Sequence, residues 1–203
     1  MNELWQKQQE SAFKEWQFFY DNRELLENGE LTIKELIESS HPVDGENVII
    51  TANDDWGLGF IDYDFTISNN KNISYCYYGF AENCMNELWY FLELLTQTTE
   101  DLYFACEEEG PESFFYIQNI NGEKIRFMHI SDRVQQPNGI VVGLFKVHQD
   151  FIISKHKLIE QFYNAMRIPI ISTKIEELSH PLGTEEFEDL IKDSEIIKNY
   201  LNI

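Results

Sequence analysis

A strict alternation of apolar and polar side chains runs from residue 61 to residue 68. Its apolar positions are Ile61, Tyr63, Phe65 and Ile67, and its polar positions are Asp62, Asp64, Thr66 and Ser68. Successive side chains of a β-strand point to opposite faces, so the pattern predicts a strand with one buried face and one face in water. The turn-forming stretch NNKN and the apolar run ISYCYY follow directly. We therefore expect a hairpin that belongs to an antiparallel sheet.

Helical and strand-like patterns alternate along the rest of the chain. Helical patterns occur over residues 2–20, 31–38, 82–97, 154–167 and 184–202. Runs rich in β-branched and aromatic residues predict further strands over 48–52, 102–106, 113–120, 123–130 and 139–147. Together these elements predict an α+β fold, an antiparallel β-meander with helices packed on one face and at both termini.

Local signals at the ends of these elements support the assignment. Thr32 and Glu35 have capping-box spacing, in which each residue bonds the backbone of the other at a helix start. Thr184 precedes a turn rich in acidic residues and is the predicted N-cap of the last helix. Asn121-Gly122 predicts a two-residue hairpin turn, because both residue types tolerate positive φ.

The chain is long and apolar enough to form a sizeable core, with 203 residues of which 43% are hydrophobic. We expect a single α+β domain over residues 1–203, although residues 150–203 could form a helical appendage. No apolar run approaches the roughly 20 residues of a membrane span, and the first residues lack the pattern of a secretory signal. The cysteines, Cys76, Cys84 and Cys106, have no metal-binding spacing and indicate reduced thiols. The sequence therefore predicts a cytoplasmic protein that does not bind membranes.

Charge is distributed unevenly along the chain. Residues 1–112 contain 24 acidic and 5 basic residues, a net charge of −19, whereas residues 113–203 contain 12 acidic and 10 basic residues, a net charge of −2. A concentrated negative field repels nucleic acids, anionic lipids and phosphorylated substrates, and it attracts basic proteins and cations. We therefore expect a basic protein partner and no nucleic-acid partner.

Acidic clusters supply most of the candidate binding residues. The candidates are Asp54, Asp55, Trp56, Asp62, Asp64, Glu107, Glu108, Glu109 and Glu112. Trp56 is a candidate anchor, since aromatic side chains dominate the binding energy of many interfaces. Consecutive glutamates on a strand point to alternate faces, and two charges about 6.6 Å apart repel each other in water by only about 0.6 kcal/mol. The glutamate stretch could therefore also be a solvated strand end, and Asp54 and Asp55 could cap a turn.

Motifs of catalysis and metal binding are missing from the sequence. It contains no GxSxG, P-loop, GxGxxG or HExxH motif and no EF-hand loop, and His129 is predicted to be a core or sheet-face residue. We therefore expect no enzymatic activity, no metal and no other cofactor. One alternative stays open, in which Asp54, Asp55 and residues 107–109 bind a divalent cation and serve an enzyme.

Residues 86–130 resemble small cytoplasmic immunity proteins of bacterial polymorphic-toxin and contact-dependent growth-inhibition systems. The resemblance lies in NELWYFLELLTQTTEDLYFACEEEGPESFFYIQNINGEKIRFMHI, a predicted helix, a strand that ends in EEEGPE, and a hairpin. It implies a protein that is not an enzyme and that binds and neutralises a cognate toxin domain, commonly a basic nuclease. An acidic adaptor domain without a toxin partner is the other alternative from the sequence.

Overall fold

The computed structural model describes residues 10, 13–14, 16–17, 20–22, 31–54, 63–70, 72–78, 84–106, 113–131, 134–135, 141–142, 145–172 and 194–203. Within these ranges the helices are α1 (Ile33–Ser39), α2 (Cys84–Gln97), α3 (Lys155–Ser172) and α4 (Glu195–Leu201). The strands are β1 (Val43–Asp44), β2 (Val48–Asp54), β3 (Tyr63–Asn69), β4 (Asn72–Tyr78), β5 (Leu102–Cys106), β6 (Ser113–Asn119), β7 (Lys124–Ser131), β8 (Val134–Gln135), β9 (Val141–Val142) and β10 (Lys146–Ser154). The described residues between 10 and 21 are helical as well.

Two larger sheets form the framework of the described residues. The five-stranded sheet has the order β1-β10-β7-β6-β5, and the three-stranded sheet has the order β2-β3-β4. Neighbouring strands are antiparallel in both sheets, except that β1 runs parallel to β10. Strands β8 and β9 form a short antiparallel pair. The predicted α+β class is confirmed, and the β5-β6-β7 meander lies within the larger sheet.

The main core fills the space between the two sheets and three helices. From β7 it receives Ile125 and Phe127, and from β3 it receives Phe65 and Ile67, all of them fully buried. Helices α2, α3 and α4 supply further buried side chains, among them Leu92 of α2. Full burial of one such side chain stabilises the fold by about 1.5–3 kcal/mol. The predicted alternation is confirmed at 65–68, because Thr66 and Ser68 are only partly buried.

A second, smaller core lies on the opposite face of the five-stranded sheet. Met128 and Ile130 of β7 are buried there against Trp16, Ile33 and Ile37. Helices therefore cover both faces of this sheet, which refines the expectation of helices on one face. The reason is visible in β7, whose apolar side chains occupy odd and even positions alike.

Helix α1 is confirmed with its predicted cap. The Thr32 side chain accepts a hydrogen bond from the Glu35 backbone N–H, and the Glu35 carboxylate accepts one from the Thr32 N–H. Isolated helices shorter than about 12–15 residues are marginal in water, so this short helix depends on its cap and on packing. Arg126 of β7 stabilises the C-terminal end of α1, because its Nη2 donates hydrogen bonds to the carbonyl oxygens of Ile37 and Ser40 at 3.0 and 3.2 Å.

The predicted strand over 139–147 is wrong in its position. The long strand is β10, at Lys146–Ser154, and among the described residues of 139–147 the remaining strand residues are Val141 and Val142 of β9. Gln149 and Asp150 make this segment look like a loop in the sequence. In the fold Gln149 donates to the Ile67 carbonyl oxygen at 3.1 Å, and Asp150 accepts two hydrogen bonds of 2.7 Å from the Arg126 guanidinium.

Two predicted element ends also need correction. The last helix does not run continuously from 184, because Ser194 has extended backbone and caps α4, while Thr184 lies outside the described residues. The β6–β7 turn has three residues, 121–123, since the Ile120 N–H donates to the Lys124 carbonyl oxygen. Gly122 alone in this turn has positive φ, and the Asn121 side chain accepts from the N–H groups of Glu123 and Lys124 instead.

Candidate binding surface

The structure describes the backbone of two predicted binding residues. Asp54 is the last residue of β2 and pairs with Tyr63, and Asp64 lies on β3 and pairs with Asn53. The other predicted residues lie outside the described part of the chain, namely Asp55, Trp56, Asp62, Glu107, Glu108, Glu109 and Glu112. The glutamate stretch connects two neighbouring strands, because Cys106 and Ser113 on either side of it pair in the sheet.

The three-stranded sheet has one buried and one open face. On the inner face Ile50 and Ile67 pair across β2 and β3, and both are buried in the main core. On the outer face Ile49, Ser68 and Ile73 form one row across the three strands. Ile49 is 58% exposed and Ile73 is 55% exposed. An apolar pair this exposed on a paired sheet makes the outer face a candidate for binding.

The two described aspartates are placed by their backbone pairing. Asp54 pairs with Tyr63 at the end of β2, and Asp64 of β3 pairs with Asn53 and Tyr77. Both residues therefore belong to strands that contribute to the exposed row of Ile49, Ser68 and Ile73.

Two exposed acidic residues, Asp44 and Glu46, lie near the β3–β4 turn end of this sheet. Asn69 Nδ2 donates to the Asp44 carbonyl oxygen at 3.0 Å, which brings β1 to the end of β3. Gly45 between them allows a close approach to β10, since an added Cβ would lie 2.7 Å from the Phe151 ring and 2.9 Å from the Ile152 carbonyl oxygen. Position 45, between the two acidic residues, therefore requires a glycine where it packs against β10 of the larger sheet.

Polar side chains hold the three-stranded sheet against its neighbours. Gln149 Nε2 of β10 donates to the carbonyl oxygens of Ile67 and Asn72 at 3.1 and 3.3 Å. Gln161 of α3 accepts a hydrogen bond of 3.2 Å from the Ile50 backbone N–H. These bonds satisfy backbone groups on all three strands of the sheet and hold the sheet against β10 and α3.

A buried histidine–serine cluster joins the two sheets. The His129 ring lies between Ser74 of β4 and Ser113 of β6, with Nδ1 3.3 Å from Ser74 Oγ and Nε2 3.4 Å from Ser113 Oγ. The His148 ring stacks on it at 4.9 Å, and its Nε2 lies 2.8 Å from Ser131 Oγ. Burial, with a smaller effect of the neighbouring His148, lowers the pKa of His129 from 6.5 to about 3. Burial, with a smaller effect of Lys146, also lowers the pKa of His148.

A hydroxyl beside an imidazole is the arrangement of a nucleophile and its base. Ser131 is buried, however, and within the described residues neither His129 nor His148 has a hydrogen bond to a carboxylate. The contacts of His129 with a serine from each sheet therefore indicate a structural role for the cluster, which links the two sheets. The sequence predicts His129 to be a core or sheet-face residue, and in the structure it is 1% exposed. Its serine partners could not be found from the sequence, because they lie on strands far apart in the chain.

Within the described ranges, no three or more His, Cys, Asp or Glu side chains are placed to hold a metal ion together. Within these ranges no helix is both long and apolar enough to cross a membrane. Asp55 and residues 107–109 lie outside the described ranges.

No family model, curated protein or solved structure matches this chain. The resemblance of residues 86–130 to immunity proteins therefore stays a prediction. The functional proposal depends on the charges and surfaces of the chain itself.

Proposed function

We propose that this protein is a cytoplasmic immunity protein that binds a basic toxin domain, of the nuclease class, and neutralises it through an acidic surface. The observation that carries the proposal is the charge division, with a net charge of −19 on residues 1–112 and −2 on residues 113–203. A nuclease carries basic residues where it holds phosphate groups. An acidic protein of matching shape can cover those residues and exclude the nucleic acid.

The ion pairs within the chain support this proposal. Arg126 and Lys198 are each paired with acidic residues of the second half, at 2.7 and 3.0 Å. Lys157 forms a pair of 3.7 Å with Glu46 of the first half. Between Glu35 and Glu123 the described residues include no Lys or Arg at all. The described residues between these two positions thus supply no Lys or Arg of their own to neutralise their acidic side chains.

The same field explains why binding would be fast. Electrostatic attraction raises association rates above the value of about 10⁵–10⁶ M⁻¹s⁻¹ that is typical without steering. A toxin must be neutralised before it reaches its substrate, so a high association rate serves this function directly.

The test uses the toxin domain encoded beside the gene of this chain, made inactive by substitution and purified. We expect a complex with the full chain and protection of nucleic acid from the active toxin. Reversal of Asp62 and Asp64 to lysine should slow association, whereas the matched double reversal of Glu123 and Glu160, which are exposed residues of the second half, should change it little. Equal effects of the two double variants, or no complex with wild-type protein, would reject the proposal.

A further inference from the structure

The outer face of the three-stranded sheet combines exposed apolar side chains with acidic surroundings. Ile49 and Ile73 stand on either side of Ser68 in one row, on strands about 10 Å apart, so a small polar residue separates two large apolar ones. Single exposed apolar residues are ordinary on protein surfaces, but a pair in register on one sheet face is an apolar patch. We propose that this outer face is the docking site of the basic partner, which places an apolar side chain over Ser68 between Ile49 and Ile73.

Charge complementarity identifies the occupant. Strands β2, β3 and β4 contain Asp54 and Asp64 and no Lys, Arg or His. Asp44 and Glu46 are exposed near the other end of the sheet, and Glu46 also forms an ion pair of 3.7 Å with Lys157 of α3. An apolar centre with charged residues at its margin is the usual anatomy of a protein–protein interface. The partner that fits has an apolar residue flanked by Lys and Arg.

The three-stranded sheet is held firmly by the rest of the fold, which favours binding at its outer face. Its inner face contributes Val48, Ile50, Phe65 and Ile67 to the main core. Gln149 of β10 ties β3 and β4 to the larger sheet through the carbonyl groups of Ile67 and Asn72. A surface that is already ordered loses little conformational entropy on binding, so more of the contact energy appears as affinity.

This inference rests on the proposed function, and it adds the place where the partner docks. The experiment measures the dissociation constant of the inactive toxin domain encoded beside the gene of this chain, with Ile49→Lys and Ile73→Lys as test variants. Ile196→Lys is the matched control, since Ile196 is 43% exposed on α4 and receives the same new charge. Urea unfolding of each variant checks that the fold is kept. We expect Ile49→Lys and Ile73→Lys each to weaken binding by about tenfold or more, and Ile196→Lys by less than about threefold.

A further variant tests how the charge near the docking face affects the association rate. Lys71 is the single Lys or Arg between Lys34 and Lys124, and in the sequence it separates the last residues of β3 from the first residue of β4. Lys71→Glu should raise the association rate by about twofold or more, because it removes the positive charge that is nearest in sequence to these two strands. A slower association of Lys71→Glu would count against docking at this face.

The outcomes separate the two proposals. If wild-type protein binds but Ile49→Lys and Ile73→Lys bind equally well, the docking face is wrong while the proposed function stands. If all three lysine variants weaken binding alike, the effect is one of net charge and the docking face is again rejected. If wild-type protein does not bind the toxin domain, the proposed function itself fails.

Discussion

Acidification should destabilise this fold through His129, which links the two sheets. The imidazole is 1% exposed and its two nitrogens face Ser74 and Ser113. Within the described residues, the one other titratable side chain in ring contact with it is His148, at 4.9 Å, while Phe115 approaches it edge-on at 5.5 Å. A proton added to His129 would therefore place a charge in an apolar site with no described carboxylate to balance it.

The size of this effect follows from the two pKa values. His129 titrates at about 3 in the folded protein and at 6.5 in the unfolded chain. Because the folded-state pKa is the lower one, the unfolded chain binds the proton first, and stability is lost as pH falls from 6.5 toward 3. Between about pH 7 and pH 5 the loss is about 2 kcal/mol, and by about pH 4 it reaches about 3 kcal/mol. The lowered pKa of His148 acts in the same direction.

Urea denaturation at about pH 7 and pH 5 measures the effect, with wild-type protein compared with His129→Gln. The variant keeps hydrogen-bonding groups but cannot titrate, so the free energy of unfolding of wild-type protein should fall by about 2 kcal/mol more than that of the variant. His41→Gln serves as the control, because His41 is exposed, and it should behave like wild-type protein. An equal fall in wild-type protein and His129→Gln would refute the reasoning.

Three further outcomes are expected. Arg126→Met should lower the free energy of unfolding, measured by urea denaturation, by about 3–5 kcal/mol because it leaves the buried Asp150 carboxylate without its ion-pair partner. The double variant Arg126→Met, Asp150→Leu should lose less stability than the sum of the two single variants. Gly45→Ala should lower the free energy of unfolding by about 1–3 kcal/mol because the new Cβ would clash with the Phe151 ring. Gly122→Ala should lower it by about 1 kcal/mol, because the space around Gly122 is open but its φ of +83° is unfavourable for alanine. Calorimetric titration with Ca²⁺, Mg²⁺ and Mn²⁺ should show no stoichiometric micromolar binding; such binding, if abolished by Glu108→Gln, would favour the cation-dependent alternative.

The sequence predicts those parts of the fold in which local pattern and burial agree. The alternation over 61–68 predicts which side chains of β3 are buried, and Thr32 with Glu35 predicts the start of α1, because each signal is contained in a few neighbouring residues. Strand β10 was misplaced because its polar residues are stabilised by distant partners. Asp150 is paired with Arg126 from the neighbouring strand, and no local pattern shows this contact.

The candidate surface shows the same limit. Alternation alone predicts Asp64 on the polar side of its strand, and this stays a prediction. The outer face with Ile49 and Ile73 could not be predicted, because it depends on how three strands align, and an exposed isoleucine looks like a core residue in the sequence. The histidine–serine cluster depends in the same way on the crossing of two sheets.

The salt dependence of association with the toxin domain tests the proposed acidic binding surface most directly. Stopped-flow measurements over about 0.05–0.5 M salt should show an association rate well above about 10⁶ M⁻¹s⁻¹ at low salt that falls steeply as ions screen the charges. The proposed function predicts this fall for wild-type protein and a weaker fall for the Asp62→Lys, Asp64→Lys double variant. A rate that does not change with salt would contradict it.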